Sequence, residues 1–496
     1  MAGTTFGKRA RCATCSRSPA PGAAVAKPRS GRCLTTRLLG AIGVGAAGVV
    51  AQTPGTPDPT GGAAVLPEQV SLAEQAPELY YQLRRYPGFF GDANTRHGDL
   101  LERSYLLDRM YGARDWLVDR GIYLDASVTQ FLQGNLAGGR DTGSGRYNGS
   151  ADYWLTIDTA KAGLWSGAAV FFHAESSWQA SRTVNDDAGS LVPANLDASM
   201  PTPGVAEAFA LPECYLAQGL PADLLLLLGK LDWAGVADTN VFANNERTQF
   251  ANAGLVNNAI LAAFVPYTSL GTAVTFAPPG HALSVFFLQN NGDATTTGAD
   301  DFKGDYTAGL QYAWSPKWSE LPGDYRLILG YTDKTLPAPV PLRDGGDNYT
   351  VLVNFDQYLW CSSANQDGEA RPGSRRAHLP PLGFGIFGRA GWAPGDRNVA
   401  DQFYSLGVGG FGTLIPARDG DQWGIGWAAT HIASRFRDDA RGVGLGLDRF
   451  EQALEAFYNF RLTAASHLTV DAQFVDPADR ALGSSCMLGI RLQADF

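Results

Sequence analysis

The last stretch of the chain alternates strictly between apolar and polar positions. From Leu488 to Phe496, apolar side chains occupy every second position, and glycine or polar residues such as Arg491 and Asp495 lie between them. Period-two alternation places the two sets on opposite faces of a β-strand. One face then suits lipid and the other water, as in a transmembrane barrel, although an edge strand of a soluble sheet can show the same pattern. The alternation decides the fold only if it repeats.

The alternation does repeat along the chain. In each repeat, Leu, Ala and aromatic residues share one face, while charged or glycine residues share the other, and aromatic residues stand near the ends, as they do at membrane interfaces. A two-sheet sandwich would instead direct a β-branched apolar face inward. The pattern predicts an all-β, transmembrane antiparallel β-barrel of about sixteen strands with a short N-terminal helical segment. The repeats lie at 153–158, 306–312, 325–332, 422–428, 454–462 and 468–474.

The composition is compatible with such a barrel. The chain has 496 residues, of which 18% are charged, and its mean hydropathy is −0.12. Lipid-facing residues make up only half of each barrel strand, so no strongly apolar composition is needed. No run of about 18 or more apolar residues occurs, which excludes a spanning helix. Turn signals such as Asn148-Gly149 separate the strands, with both short and long connections.

The first 51 residues combine a basic segment with a weakly apolar run. They contain eight Lys or Arg and no Asp or Glu, and they end in the run Leu38–Val50. Small residues at Val49–Ala51 offer a cleavage site before Gln52. The pattern predicts a signal peptide over 1–51, with a disordered basic tail as the alternative. Cleavage changes the formal net charge from −10 to −18, because eight positive charges leave, and an acidic protein is a poor partner for nucleic acid.

Three segments follow the predicted signal peptide. Residues 52–98 begin rich in Pro, Gly and Ala and are predicted to be a flexible N-terminal segment. Residues 99–121 space their apolar side chains as a helix does, with Gly121 placed to cap it, which predicts a periplasmic helical segment. The outer-membrane barrel is predicted over 122–496. Outside the signal peptide, Cys214, Cys361 and Cys486 show no metal-ligand spacing, and the sequence does not decide whether two of them pair.

Five segments in collinear order resemble the carbohydrate-selective porins of the OprB type. In the first, a Gly-Ala-Arg helix at 112–114 leads into a strand that ends in a Gly-Asn-x-x-Gly-Gly loop at 134–139, as in that family. Met110-Tyr111 stands where the family pattern has a Trp-Gly pair. A single segment is only weakly specific for the family, whereas five segments in the same order over about residues 100–496 are strongly specific. The segments are Leu107–Ile122 with Gln130–Gly139, Leu155–Trp165 with Phe171–His173, Leu228–Asp232, Ile386–Asn398 with Gly412–Asp419 and Gly424–Gly426, and Leu488–Phe496.

The resemblance implies a sixteen-stranded barrel in the bacterial outer membrane, assembled as a homotrimer. It implies passive, selective diffusion of mono- or oligosaccharides through a polar lumen, with no cofactor, no metal and no enzymatic step. A lumen that binds sugars must offer charged hydrogen-bonding groups and aromatic faces. Binding must stay weak, because a tight site would slow exit.

Strand parity selects residues that could line the path of the sugar. His173 and Glu175 share one face of a strand, and a charge such as Glu175 cannot readily face lipid. Lys230 and Asp232 are predicted to share another strand face, with a wall ion pair that only stiffens the barrel as the alternative. Arg247 lies in a polar loop that could fold into the channel or stay exposed.

Two further pairs complete the candidate set. Glu455 and Arg461 face the same side of a later strand, either toward the solute or as solvated wall charges remote from it. Trp154 and Trp178 offer faces on which sugar rings could stack, although Trp also anchors barrels at the membrane interface.

Three other functions are compatible with parts of the pattern. A general, non-selective porin shares the fold but lines its constriction with opposed acidic and basic rows. An outer-membrane lipid hydrolase needs a nucleophile beside an acid–base partner, whereas Ser177 and His173 lie four residues apart on a strand and no Gly-x-Ser-x-Gly motif occurs. A secreted carbohydrate-binding β protein would leave the cell envelope without detergent.

Overall fold

Sixteen antiparallel strands close into a barrel, because the first strand pairs with both the second and the last. Every other barrel strand pairs with its two neighbours along the chain, so the topology is an up-and-down meander. A separate two-residue strand, Lys317–Trp318, pairs only with the start of the ninth barrel strand. The predicted fold class, an all-β antiparallel barrel of sixteen strands, is confirmed.

The computed structural model describes residues 70–72, 98–101, 103–143, 145–201, 207–299, 305–334, 347–362 and 380–496. The predicted signal peptide, 1–51, and nearly all of the predicted flexible segment, 52–98, lie outside the described residues. The strands are β1 (Ile122–Gly139), β2 (Arg146–Asp158), β3 (Ala168–Gln179), β4 (Glu207–Leu220), β5 (Leu224–Leu231), β6 (Ser269–Phe276), β7 (His281–Gln289), β8 (Tyr306–Trp314), β9 (Leu321–Thr332), β10 (Asn348–Cys361), β11 (Gly383–Trp392), β12 (Ala400–Phe411), β13 (Gln422–Ile432), β14 (Phe450–Thr463), β15 (Ser466–Asp476) and β16 (Gly483–Asp495).

The two faces of each strand differ as the alternation predicts. In β16, Leu488, Ile490 and Leu492 are exposed on the outside of the barrel, whereas Arg491 and Gln493 are buried on the inside. An apolar outer face removes the need to desolvate polar groups in lipid, and the closed ladder satisfies every strand edge.

Aromatic side chains on the outside gather near the ends of the strands. Tyr331, Tyr349, Trp392 and Tyr404 lie close together across β9–β12 and are exposed. The ring centroids of Tyr349 and Trp392 are 5.6 Å apart. Amphipathic rings at this position suit the headgroup region of a bilayer.

The two ends of the barrel differ in the length of their connections. At the end where β1 begins, most links are short, such as 221–223, 277–280 and 464–465, and one longer link covers 362–382. At the other end, the links after β3, β5 and β13 are long, and the longest covers 232–268. Outer-membrane barrels have short periplasmic turns and long extracellular loops. The first end is named the turn end below, and the second the loop end.

The segment before β1 is helical over a shorter stretch than its sequence predicts. An α-helix, α1, spans Ala113–Val118, preceded by a 3-10 helix at Met110–Gly112. Asp108 and Tyr111 have φ angles of 52° and 58°, which a continuous right-handed helix does not contain. Gly121, with φ of 73°, follows α1 and turns the chain into β1.

The other helices lie in the connections between strands. Within the part of the chain that the structure describes, no helix is both long and apolar enough to cross a membrane. The α-helices are α2 (Val184–Ala188), α3 (Trp233–Ala237), α4 (Ala253–Val256) and α5 (Ser434–Gly442), and the remaining 3-10 helices are Asp197–Ser199 and Leu261–Ala263.

The cysteines, whose pairing the sequence left open, are free thiols. Cys361 is buried, and Cys214 and Cys486 are half-buried. In the described ranges, no group of three or more His, Cys, Asp or Glu side chains is arranged to hold a metal ion.

Candidate functional site in the barrel interior

The connection between β5 and β6, residues 232–268, lies inside the barrel and is named the inner loop. Its side chains Phe242 and Phe250 are fully buried against the wall. Glycines on the wall make room for them: a Cβ at Gly409 would lie 2.8 Å from Phe242 Cβ, and one at Gly424 2.8 Å from the Phe250 ring. No larger residue fits at that distance in a packed interior. The glycine-rich inward faces of β12 and β13 are therefore the surface on which the inner loop rests.

One part of the inner loop is fixed by a buried ion pair between Arg389 of β11 and Asp238. Arg389 Nε lies 3.1 Å from Asp238 Oδ1, and the Arg389 side chain is fully buried. The same guanidinium donates hydrogen bonds to the main-chain oxygens of Ala243 at 2.6 Å and Leu255 at 2.8 Å. Asn354 of β10 donates to Asp238 Oδ1 at 2.7 Å. These partners satisfy a charge that would be very costly to bury alone.

A second part of the loop is held by Glu455 of β14 and Arg491 of β16. The Glu455 carboxylate is fully buried and accepts hydrogen bonds from the main-chain N–H groups of Ala251 at 2.7 Å and Asn252 at 2.9 Å. Arg491 donates to the main-chain oxygen of Gln249 at 2.5 Å. Glu455, a candidate for the sugar path, thus binds the backbone of the inner loop.

Arg247, in the same loop, lies among four carboxylates. Its Nη2 donates to Asp152 Oδ1 at 2.8 Å and lies 3.5 Å from Glu175 Oε1. Its Nη1 donates to Glu246 at 2.7 Å, and its Nε lies 3.7 Å from Asp197. Asp152 and Glu175 are fully buried, and Arg247 is nearly so. Four acids around one guanidinium make this group, named the Arg247 group, acidic overall, which disfavours anions nearby.

The connection after β3 covers this group from the loop end. Its described part, 180–201, is named the cover segment. Its Asp197 accepts hydrogen bonds from Asn148 at 2.9 Å and Ser150 at 2.6 Å on β2. Burial raises the pKa of this carboxyl to about 6, and the neighbouring guanidinium opposes the rise. Two main-chain N–H groups of the cover segment donate to Glu451 of β14 at 2.7 and 2.9 Å.

Four inward side chains form a row across β1–β4, one step nearer the turn end than Asp152. The strand register pairs Asp125 with Trp154, Trp154 with His173, and His173 with Glu213. The rings of Trp154 and His173 are stacked, with centroids 5.0 Å apart and planes at 11°. His173 Nε2 lies 2.8 Å from Asp152 Oδ1, and its Nδ1 lies 3.4 Å from Glu213. These four residues are named the Trp154 row.

Lys230 and Asp232 do not share a strand face, contrary to the prediction. The strand β5 ends one residue before Asp232, whose carboxylate caps α3 and accepts from the N–H of Gly235 at 2.9 Å. Asp is a favoured N-cap residue, and here the cap begins the inner loop. Lys230 Nζ donates to the main-chain oxygens of Ala294 at 3.2 Å and Thr296 at 2.5 Å in the connection after β7.

Arg461 lies on the inward face of β14, as Glu455 does, but six residues further along the strand. That separation is about 20 Å, so the two do not belong to one site. Arg461 is near the turn end, where its main-chain N–H donates to Asp421 at 2.9 Å and its Nε to the Thr463 oxygen at 3.3 Å.

The two candidate tryptophans face opposite ways. Trp154 shares the inward parity of Asp152 and is half-buried. Trp178 has the outward parity of β3, and its indole N–H donates to Tyr147 Oη at 2.8 Å. Trp178 therefore lies on the outer face of the barrel, whereas Trp154 lies on the inner face.

Several residues that hold the inner loop were not singled out from the sequence. Asp152 and Arg491 occupy inward positions of their strands, so parity could have marked them as lumen-facing, and Arg389 was noted only as part of the fourth segment that resembles the family. Their partners could not be found that way, because Arg247 follows Asp152 by 95 residues and Arg389 follows Asp238 by 151. Only the closed barrel brings these pairs together.

Comparisons with known proteins agree with this architecture. The family model for the carbohydrate-selective porins of the OprB family matches residues 142–496. The chain belongs to this family. It is a porin of the bacterial outer membrane that passes sugars. No curated protein sequence matches the chain.

One solved porin structure shares the fold, and two others are similar to the chain at lower TM-scores. Pseudomonas putida OprB at high pH superimposes with a TM-score of 0.65 and 17% identity, over 79% of this chain and 98% of that one. The low-pH structure of the same protein gives a TM-score of 0.48 and 16% identity, over 79% of this chain and 98% of that one. The outer membrane channel DcaP of Acinetobacter baumannii gives a TM-score of 0.44 and 12% identity, over 76% of this chain and 97% of that one.

Proposed function

We propose that this porin lets neutral mono- or oligosaccharides diffuse passively and selectively past a constriction formed by the inner loop and the Arg247 group. The supporting observation is that Arg247, deep in the lumen, is clamped between Asp152 and Glu175 of the wall. A loop that lies in the lumen and is fixed to the barrel wall narrows the passage, and it brings polar groups to the constriction.

Charge supports neutral solutes in particular. The carboxylates of the Arg247 group outnumber its guanidinium, so an anionic solute meets repulsion on its way through. Sugar hydroxyls can donate to carboxylates and accept from guanidinium or imidazole groups, and such contacts replace those with water. Because solvent competes for every such bond, the affinity stays low enough for exit.

Transport is proposed to need neither a cofactor nor catalysis. Hydrolysis by the pair Ser177 and His173 would require His173 to act as the base. Both ring nitrogens of His173 face carboxylates instead, Asp152 at 2.8 Å and Glu213 at 3.4 Å. This arrangement supports a structural or solute-binding role for the imidazole.

A homotrimer is proposed from the family resemblance described above. Light scattering of the detergent-solubilised protein, corrected for bound detergent, measures the number of chains. A mass of three chains supports the proposal, and a mass of one chain contradicts it.

The decisive experiment measures ion current through the purified porin in a planar bilayer while D-glucose and larger sugars are added. Concentration-dependent block of the current is expected. An open current that no sugar blocks would favour a general porin. The absence of any current would contradict porin function. In Arg247→Ala, the four carboxylates of the Arg247 group lose their counter-charge, so we expect a changed open current and weaker block. Arg480→Ala, which removes an exposed pair with Asp448 at the loop end, serves as the matched control.

A further inference from the structure

We propose that the Trp154 row is a sugar subsite on the periplasmic side of the constriction, where a neutral, unphosphorylated pyranose lies against the Trp154 indole. The proposal rests on the proposed function, since it assumes that sugars pass through this lumen. It adds a specific place, a chemical class of ligand and a side of the barrel.

On the first strands of the barrel, the row of residues that binds Arg247 and the Trp154 row are adjacent, two residues apart along each strand. Ser127, Asp152 and Glu175 face one another across β1–β3, and the two acids of this row are occupied by Arg247. The Trp154 row lies two residues nearer the turn end on each of these strands. It borders the Arg247 group through Asp152, which contacts both His173 and Arg247.

Accessibility distinguishes the two rows. Asp152 and Glu175 are fully buried, whereas the Trp154 row contains two half-buried side chains, Trp154 and Asp125, beside the buried His173 and Glu213. The stacked His173 ring covers part of the Trp154 indole. The part of the indole that stays accessible faces the lumen, because Trp154 has the inward parity of β2. A lumen-facing aromatic surface is the feature that binds the apolar C–H face of a sugar ring.

Polar groups flank the indole on both sides of the row. Asp125 is its register partner on β1, and His173 and then Glu213 follow on β3 and β4. Carboxylates accept hydrogen bonds from sugar hydroxyls and repel a phosphate group. An indole with Asp125 on one side and with His173 and then Glu213 on the other therefore fits a neutral sugar, and the two carboxylates disfavour a sugar phosphate.

The imidazole supports the indole in a fixed orientation. His173 is held by Asp152, which also binds Arg247. The Asp152 carboxylate thus contacts both the subsite and the constriction, and it fixes the distance between the two. A sugar leaving the constriction toward the periplasm meets the indole next.

The test uses the full-length porin in planar bilayers with D-glucose and D-glucose 6-phosphate as probes. Trp154→Ala should raise the glucose concentration for half-maximal block by about threefold to tenfold, the loss of one ring contact. Trp178→Ala, a tryptophan of the neighbouring strand that faces outward, should leave the block unchanged. Asp125→Asn should increase block by glucose 6-phosphate, because it removes a repelling charge.

Four outcomes decide between the hypotheses. Weaker block in Trp154→Ala with unchanged block in Trp178→Ala supports the subsite. Equal block in wild type and Trp154→Ala overturns the subsite and leaves the sugar porin standing. A wild-type current that no sugar affects overturns the proposed function and the subsite with it. If Trp154→Ala fails to fold, Trp154→Leu removes the aromatic face but keeps a large apolar side chain, and unchanged block in that variant overturns the subsite.

Discussion

Arg114 of α1 donates a hydrogen bond of 2.9 Å to the main-chain oxygen of Phe496. The same guanidinium donates to the main-chain oxygen of Asp108 at 2.9 Å and lies 4.5 Å from the centre of the Tyr105 ring. The N–H of Phe496 in turn donates to the Ala126 oxygen of β1. The Gly-Ala-Arg motif therefore docks the segment before β1 beneath the seam where β1 and β16 close the barrel.

Arg114→Ala should lower stability at this seam. The change removes charged hydrogen bonds from a nearly buried site, and a hydrogen bond to a charged group contributes about 1.5–3 kcal/mol. The heat-modifiable shift on a gel should occur at a lower temperature. Arg109→Ala is the control, because its partner Asp115 is bound at an exposed surface, where ion pairs contribute little. Equal shifts in both variants would contradict the anchoring role.

Tyr111→Gly should stabilise the segment before β1. Tyr111 has a φ of 58° and a fully exposed side chain, at a position where the family pattern has glycine. Left-handed backbone is strained for tyrosine, and the net gain after the extra flexibility of glycine is about 0.5–1 kcal/mol. Slower proteolysis of this segment would show the gain. Tyr123→Gly, which changes a tyrosine within β1, should instead destabilise the barrel, and faster cleavage of Tyr111→Gly would refute the strain argument.

Glu455→Gln should release the inner loop locally. The Glu455 carboxylate uses both oxygens to accept hydrogen bonds from the N–H groups of Ala251 and Asn252, whereas glutamine has only one side-chain oxygen. One buried N–H group is then left unsatisfied, which costs about 1–3 kcal/mol. Limited proteolysis from the extracellular side should then cut within 232–268.

Glu451→Gln is the matched variant, since Glu451 accepts from the main chain of the cover segment in the same way. It should expose 180–201 while leaving the inner loop protected. The same cleavage pattern in both variants would mean that the two carboxylates do not act on separate loops.

Gly409→Ala should disturb the packing of the inner loop. Its Cβ would lie 2.8 Å from Phe242 Cβ, and overpacking of a filled interior costs about 1–3 kcal/mol. Urea titration of the folded fraction measures the effect. Gly442→Ala in α5 is the control, because a Cβ there has no atom within 4 Å and alanine favours a helix. A Gly409→Ala protein as stable as the control would argue against close packing at this wall.

Ile490→Arg should destabilise the barrel in lipid. Ile490 is exposed on the outer face in the middle of β16, and arginine facing mid-bilayer costs about 2–4 kcal/mol. The folded fraction in lipid vesicles at rising urea concentration gives the difference. Ser484→Arg, on the same face at the loop end, should cost much less because it lies near the interface. Equal costs would contradict the membrane position of β16.

Much of the fold could be predicted because period-two alternation acts strand by strand. The alternation at Leu488–Phe496 predicted which residues face lipid, and the same parity placed His173 and Glu175 inside the barrel. The helical pattern before β1 predicted too long a helix, since apolar spacing does not reveal the positive φ angles at Asp108 and Tyr111. For Asp232, strand parity failed because a helix cap replaced the next strand residue.

The sequence by itself determined the barrel, its two faces, its membrane and its family, since each depends on local spacing and on motifs a few residues long. Only the tertiary structure decided what the inward charges do. It placed Arg247 against Asp152 and Arg389 against Asp238, made Glu455 an anchor for backbone N–H groups, and left Trp154 accessible beside them. Such pairings join residues far apart in the chain, and their geometry depends on how a long loop folds back into a closed cylinder.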